Sequence, residues 1–207
     1  LVVPSPLLQQ WISELMNHLI NGAGLDVVCF EGVKASGFVS AHRIARADLV
    51  LTTYEALAAD IYRSDALRMT NERSLRTAKR YQVRPTPLLH VHWWRVCLDE
   101  SQFVESATSK PSEMACRLRS DIVWCVSGTP IRTSVAEVYG LLKFLRVQGF
   151  EDRALFEKLL QSSKRNDSDA LNAVNRLLRL LVWRFHKVDV LNQLGIPEQT
   201  TQIEKLS

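Results

Sequence analysis

Two acids, Asp99 and Glu100, follow directly on the apolar run Val96-Cys97-Leu98 and lead into Ser101-Gln102. A buried carboxylate is costly unless it is paired or bound to a metal. The pair therefore either marks the point where the chain leaves a core or is placed for chemistry. Adjacent carboxylates after a strand suit nucleotide hydrolysis. Asp99 could hold Mg²⁺ through water, because that ion takes one or two carboxylates and keeps water and phosphate oxygens in its other positions. Glu100 would orient and deprotonate the attacking water. Alone, a D-E pair is equally a solvated turn; the preceding W-R-V-C-L and the following S-Q favour the chemical reading.

The same punctuation recurs along the chain. Leu1-Val2-Val3 is followed by Pro4-Ser5, Leu49-Val50-Leu51 by Thr52-Thr53, and Val123 to Val126 by Ser127-Gly128-Thr129-Pro130. Each apolar run ends in small, hydroxylated or acidic residues. In open parallel sheets the ligand crevice lies outside the carboxyl ends of the strands. The four tips are therefore expected on one rim.

The elements that must position them can be read from periodicity. Leu7/Leu8, Trp11/Ile12, Leu15/Met16 and Leu19/Ile20 recur at helical spacing, with Ser5 as the expected N-cap, Pro6 at the first helical position and Asn21-Gly22 as the stop. Strands are expected at Val27–Phe30, Leu49–Leu51, Arg95–Leu98 and Ile122–Val126, besides the opening Leu1–Val3 run. Helical patterns fall at Ala56–Tyr62, Glu113–Arg119 and Val135–Leu145. Strands alternating with helices imply a parallel sheet covered on both faces, its strands continuous apolar runs. After Gly149 only helices follow, at Ala154–Leu160 and Ala170–Phe185, separated by the polar stretch Ser162–Asp169. From Ile196-Pro197 an extended tail is expected.

At 207 residues the chain can bury one sizeable core, and a composition of 46% hydrophobic and 23% charged residues is that of a globular protein. The net charge of +4 mildly favours an anionic partner. Between Arg63 and Arg84 stand seven basic residues against two acids, a local excess of +5, so the remainder is close to neutral. This basic insertion, closed by Pro85 and Pro87, is either a solvated loop or a surface for DNA phosphates. The four cysteines form no C-x-x-C pair. Cys29, Cys97 and Cys125 lie in apolar runs as small hydrophobes, which points to a reduced, intracellular protein without a cysteine zinc site. No apolar stretch approaches membrane-spanning length, so no membrane partner is expected. His90 and His92 lack further ligands nearby, and Trp93 and Trp94 read as packing anchors. The opening Leu-Val-Val resembles the middle of a strand, and the chain reads as a piece of a longer protein.

Four ordered stretches, L-V-V-P-S-P-L-L-Q-Q-W, A-D-L-V-L-T-T-Y-E-A-L, W-W-R-V-C-L-D-E-S-Q and V-S-G-T-P-I-R-T, together with W-R-F-H-K-V-D-V, resemble the Swi/Snf family of superfamily-two helicase-like ATPases. The run K-R-Y-Q-V-R-P-T-P-L-L-H-V-H-W-W-R-V-C-L-D-E-S-Q is most similar to the SHPRH type within it, Swi/Snf helicases with linker-histone, PHD and RING modules that act as ubiquitin ligases. The resemblance implies an α/β fold: a three-layer RecA-like (P-loop NTPase) lobe with a parallel sheet, lacking the Walker A strand and loop, plus a small C-terminal helical protrusion. Residues 1–148 would form the lobe, interrupted by the basic insertion at 63–87. Residues 149–190 would form the protrusion, and 191–207 a tail toward a second lobe.

The resemblance also implies roles. Asp99 and Glu100 match the Walker B pair, catalytic and binding ATP and Mg²⁺ together with Gln102, the metal held by Asp99 through water. Pro4, Ser5, Thr52 and Thr53 match motifs that touch the DNA backbone. Ser127, Gly128 and Thr129 match the motif that couples nucleotide state to DNA grip. Implied partners are double-stranded DNA or a nucleosome, a second RecA-like lobe in cis and, through a RING module absent here, a ubiquitin-conjugating enzyme, in a nuclear remodelling or repair factor. Ser101 stands where the family has Ala or Gly, Gln102 where it often has His, and Arg132-Thr133 where Gln-Asn is commoner. No G-x-x-x-x-G-K-[ST] occurs in the sequence. An alternative is a decayed ATPase lobe serving as a DNA- or nucleosome-binding scaffold of a ubiquitin ligase.

Overall fold

A computed structural model of the chain describes residues 1–20, 24–37, 39–69, 85–150, 152–164 and 168–184. They fall into two compact units, Leu1–Lys158 and Leu159–Ser207. The first unit is built on one five-stranded sheet of β1 (Val2–Val3), β2 (Val27–Phe30), β3 (Leu49–Thr53), β4 (His92–Leu98) and β5 (Arg119–Cys125). Its order is β2-β3-β1-β4-β5 and every neighbouring pair is parallel. Parallel neighbours require crossover connections. These are carried by α1 (Leu8–Leu15), α2 (Ala41–Ala45), α3 (Tyr54–Met69) and α4 (Lys110–Arg117), with α5 (Val138–Phe144) following β5.

Strand alternation divides the core between the two faces of the sheet. Val2, Val28, Phe30, Val50, Val96 and Leu98 point into the larger cluster, against Ile44, Leu57, Ile61, Met114, Leu141 and Phe144 from α2 to α5. Val3 and Leu51 point the other way and pack with Leu8, Leu15, Trp11 and Ile12 of α1. Side chains of successive residues thus serve opposite layers, and this decides where the acids point.

Several expectations need correction. Ser5 is not an N-cap: Ser5–Leu7 is a 3-10 turn ahead of α1, and the helix passes into a π turn at Met16–Ile20. The expected stop at Asn21-Gly22 lies outside the described residues. Thr52 and Thr53 belong to β3 rather than following it. Cys29 is exposed, because β2 alternates and turns that residue away from the larger core. Strands β4 and β5 are not continuously buried. His92, Trp94 and Arg95 of β4 are exposed, and Trp94 is 70% accessible, its ring under the Arg95 guanidinium rather than in a core. Trp93 does pack against the larger cluster, its indole donating to the Leu88 carbonyl at 3.1 Å. His92 pairs with Asp121 at 2.7 Å. The start of the basic stretch, Arg63 to Met69, continues α3, while 70–84 lie outside the described residues.

Beyond the sheet, α6 (Arg153–Lys164) places Phe156 against Tyr139 and Phe150. In the second unit α7 spans Ser168–Leu181. No helix among the described residues is long and apolar enough to cross a membrane.

Candidate active site

The register places the four tips along one edge. Val2 stands opposite Thr52 on one side and Leu98 on the other, and Leu98 stands opposite Cys125. The next residues, Thr53, Val3, Asp99 and Val126, therefore lie at the carboxyl edge, with Pro4, Glu100 and Ser127 just beyond. Asp99 N–H still donates to Val2 O at 2.9 Å and Val126 N–H to Leu98 O at 2.8 Å, so the strands hold pairing up to this point. Glu100 then breaks the strand. It takes a left-handed conformation, φ 49° and ψ 53°, rare for a residue with a Cβ and concentrated at functional turns. A 3-10 turn, Ser101–Val104, follows.

Three side-chain bonds organise the acids. Asp99 Oδ2 accepts from Trp11 Nε1 of α1 at 2.8 Å. Glu100 Oε2 accepts from Gln102 Nε2 at 2.9 Å, and Gln102 Oε1 accepts from Ser127 Oγ at 2.8 Å. Ser127 Oγ in turn accepts the Thr129 N–H at 3.1 Å. Glu100 and the S-G-T loop are thus one hydrogen-bonded chain, with the amide of Gln102 as its middle link, while the Asp99 carboxylate is held separately by Trp11. Tyr54 donates its hydroxyl to the Asp99 carbonyl at 2.7 Å and stacks on Phe103 at 5.1 Å. Burial pushes the Tyr54 pKa up, so the group remains a donor. Burial likewise pushes the Cys125 thiol up to about 12, which leaves it a neutral neighbour and no nucleophile.

The S-G-T-P-I-R-T loop is also held from its far end. Arg132 pairs with Glu105, just beyond the acid turn. Glu137 receives the Thr133 hydroxyl and the N–H groups of Arg132, at 2.8 Å, and Thr133, at 3.2 Å. These contacts hold the Glu137 carboxyl down at about 2. Gly140 of α5 sits against the acid turn, where a Cβ would come within 2.2 Å of the Val104 and Glu105 carbonyl oxygens. Gly128 faces open space among the described residues, so packing against them does not demand a glycine there.

At the expected DNA-contacting tips the picture differs. Ser5 is exposed, but its only O–H is donated to Glu55 Oε2 at 2.7 Å. Pro4 is buried at the end of β1. Thr52 and Thr53 are only 4% and 3% accessible, so their hydroxyls are committed to the interior rather than offered to a phosphate. Thr53 Oγ1 accepts the Ala56 N–H at 3.1 Å and caps α3. That cap was legible as a threonine just ahead of a helical pattern. Trp11 and Tyr54 had no such signal, because each reaches an acid brought near only by sheet order.

The donor set suits Mg²⁺: two carboxylates at the sheet edge, one of them with an oxygen left after the indole is satisfied, and no soft ligand required. Gripping the phosphates needs a separate cradle of backbone N–H groups, and the sequence has no G-x-x-x-x-G-K-[ST].

Comparison with known proteins gives a consistent picture. The model of the SNF2-related domain family matches residues 1–207. The human E3 ubiquitin-protein ligase SHPRH is 36% identical over the whole chain, which spans 12% of that relative's length. The Arabidopsis thaliana DNA repair protein RAD5A is 30% identical over 89% of the chain and 16% of its own length. The Sulfolobus solfataricus SWI2/SNF2 ATPase core in complex with dsDNA superposes with a TM-score of 0.67 at 19% identity, covering 92% of this chain and 34% of that one. The parallel sheet with its helices is therefore the RecA-like fold of such cores.

Proposed function

The chain belongs to the SNF2-related domain family, and on that premise we propose that it is the first RecA-like lobe of a DNA-dependent ATPase that moves along duplex DNA. One observation carries the reading: the acid turn, the S-G-T loop and the Pro4-Ser5 turn occupy adjoining places along the carboxyl edge of one parallel sheet.

Roles follow from position. Glu100 orients and deprotonates the water that attacks the terminal phosphate, its carboxylate steered by the Gln102 amide. Asp99 would hold Mg²⁺, commonly through water. When bound, ATP and Mg²⁺ supply the scissile phosphate and neutralise its charge. Gln102 serves the nucleotide through Glu100 and Ser127 rather than by direct contact. Ser127, Gly128 and Thr129 pass the state of the acid turn to the surface. Pro4 and Ser5 meet one DNA strand, with Thr53 capping the neighbouring connection from within and Thr52 buried beside it.

On the same reading, residues 1–148 form the lobe and 149–190 a helical protrusion, with a second RecA-like lobe as partner in cis; the expected tail at 191–207 lies outside the described residues. Double-stranded DNA or a nucleosome is the substrate, the setting is nuclear remodelling or repair, and any ubiquitin-conjugating enzyme engages a RING module outside this sequence. The test is Glu100→Gln in the protein that carries this chain. DNA-stimulated ATP hydrolysis should fall by about 10²–10⁴-fold while ATP still binds. Retained turnover removes Glu100 from the base role. A wild-type protein that binds nucleosomes without hydrolysing ATP is a scaffold.

A further inference from the structure

Asp99 is gripped at two points by residues from two other connections of the sheet. Its carboxylate takes the Trp11 indole N–H at 2.8 Å, and its carbonyl takes the Tyr54 hydroxyl at 2.7 Å. Sheet order explains the meeting. β1 lies between β3 and β4, so the helices that follow β1 and β3 both start beside the end of β4. Alternation sends Leu98 into the larger core and leaves Asp99 in register with Val3, on the face that α1 covers.

The chemistry of each contact is directional. An indole N–H donated to an ionised carboxylate is a charge-assisted bond, roughly twice as strong as a neutral one. It fixes one rotamer and leaves one oxygen for a cation or its water. Tyr54 is buried and stacked on Phe103 of the acid turn, so its hydroxyl has little freedom. The tips of the same two connections are joined at the surface by the Ser5–Glu55 bond. A movement of either connection is therefore felt at Asp99.

We infer, resting on the ATPase reading above, that Trp11 and Tyr54 are positioning residues for the Mg²⁺-bearing carboxylate, and that through them the connections after β1 and β3 transmit DNA engagement to Asp99. Ligand-orienting groups of this kind cost about 10–100-fold in metal affinity or activity when removed.

The test uses the protein that carries this chain. Trp11→Phe keeps an aromatic ring and deletes the N–H; Tyr54→Phe deletes only a hydroxyl. Without nucleotide, Trp11→Phe should speed hydrogen exchange in the peptide spanning Asp99 to Val104. With ATP and DNA it should lower kcat by about 10–100-fold and raise the Mg²⁺ concentration needed for half-maximal rate, leaving KM for ATP in place. Tyr54→Phe should act in the same direction and carries the test alone if Trp11→Phe does not fold. A purely packing role would loosen α1 and leave the Mg²⁺ requirement and the acid turn untouched, and that result overturns the inference. If the wild-type protein hydrolyses no ATP, the ATPase reading has failed, and exchange at the acid turn alone decides whether these residues position Asp99.

Discussion

The Ser127 hydroxyl donates to Gln102 Oε1 at 2.8 Å, so the loop after β5 is bonded to the residue that also steers Glu100. An amide can do this because it offers a donor and an acceptor at once. Gln102→Glu replaces the donor with a second acid beside Glu100, and like charges raise each other's pKa. The acid limb of the pH–rate profile for DNA-stimulated ATP hydrolysis should move to higher pH. Gln102→Ala should lower the rate without moving that limb. Identical profiles for the two variants would mean that the amide does not steer Glu100.

Gly140 is a packing requirement of the site. Its missing Cβ is the space taken by the Val104 and Glu105 carbonyls, both backbone and unable to swing aside. Gly140→Ala should cost about 1–3 kcal/mol or more through overpacking. Lowered thermal stability is the expected readout, whereas Gly128→Ala, facing open space, should leave it unchanged.

The Ser5 hydroxyl carries one hydrogen and spends it on Glu55. For Ser5 to donate to a DNA phosphate, Glu55 must let go, and its own charge repels the same phosphate. Glu55→Gln should tighten duplex binding by about two- to fivefold, the scale of an exposed ionic contact. Measured at constant salt, an unchanged affinity would place Ser5 away from the DNA path.

Glu137 anchors the Arg132-Thr133 segment. The Thr133 hydroxyl and the two N–H groups stabilise its charged form, lowering its pKa from the ordinary 4.5 to about 2. A depressed carboxyl contributes stability above its unfolded value, and that contribution is lost as pH falls from 4.5 toward 2. In an NMR titration the Thr133 amide shift should change with a midpoint near 2, and Glu137→Gln should abolish the change. A midpoint at 4.5 would show that the contacts do not hold the charge.

Much of the architecture was legible. Apolar runs closed by small or acidic tips, alternating with helical periodicity, led to a parallel sheet with the tips on one edge. Registry bears this out for Asp99, Glu100 and Ser127. Element ends were less legible. Thr52 and Thr53 read as the tip that follows the strand because hydroxyl residues usually end an apolar run, yet β3 continues through both and buries them. Trp94 read as a packing anchor because tryptophan is mostly apolar, but its part of β4 has no covering layer among the described residues.

The sequence by itself determined which residues could do chemistry and that they share a sheet edge, because apolar runs followed by polar tips are a local pattern and the family motifs are contiguous. What it could not determine is which side chain meets which. The Trp11–Asp99 bond spans 88 positions, and Gly140 is needed only because α5 returns to the acid turn. Such contacts depend on strand order, on the two-residue alternation of each strand and on the left-handed break at Glu100. These exist only once the sheet has assembled, so tertiary structure alone decided them.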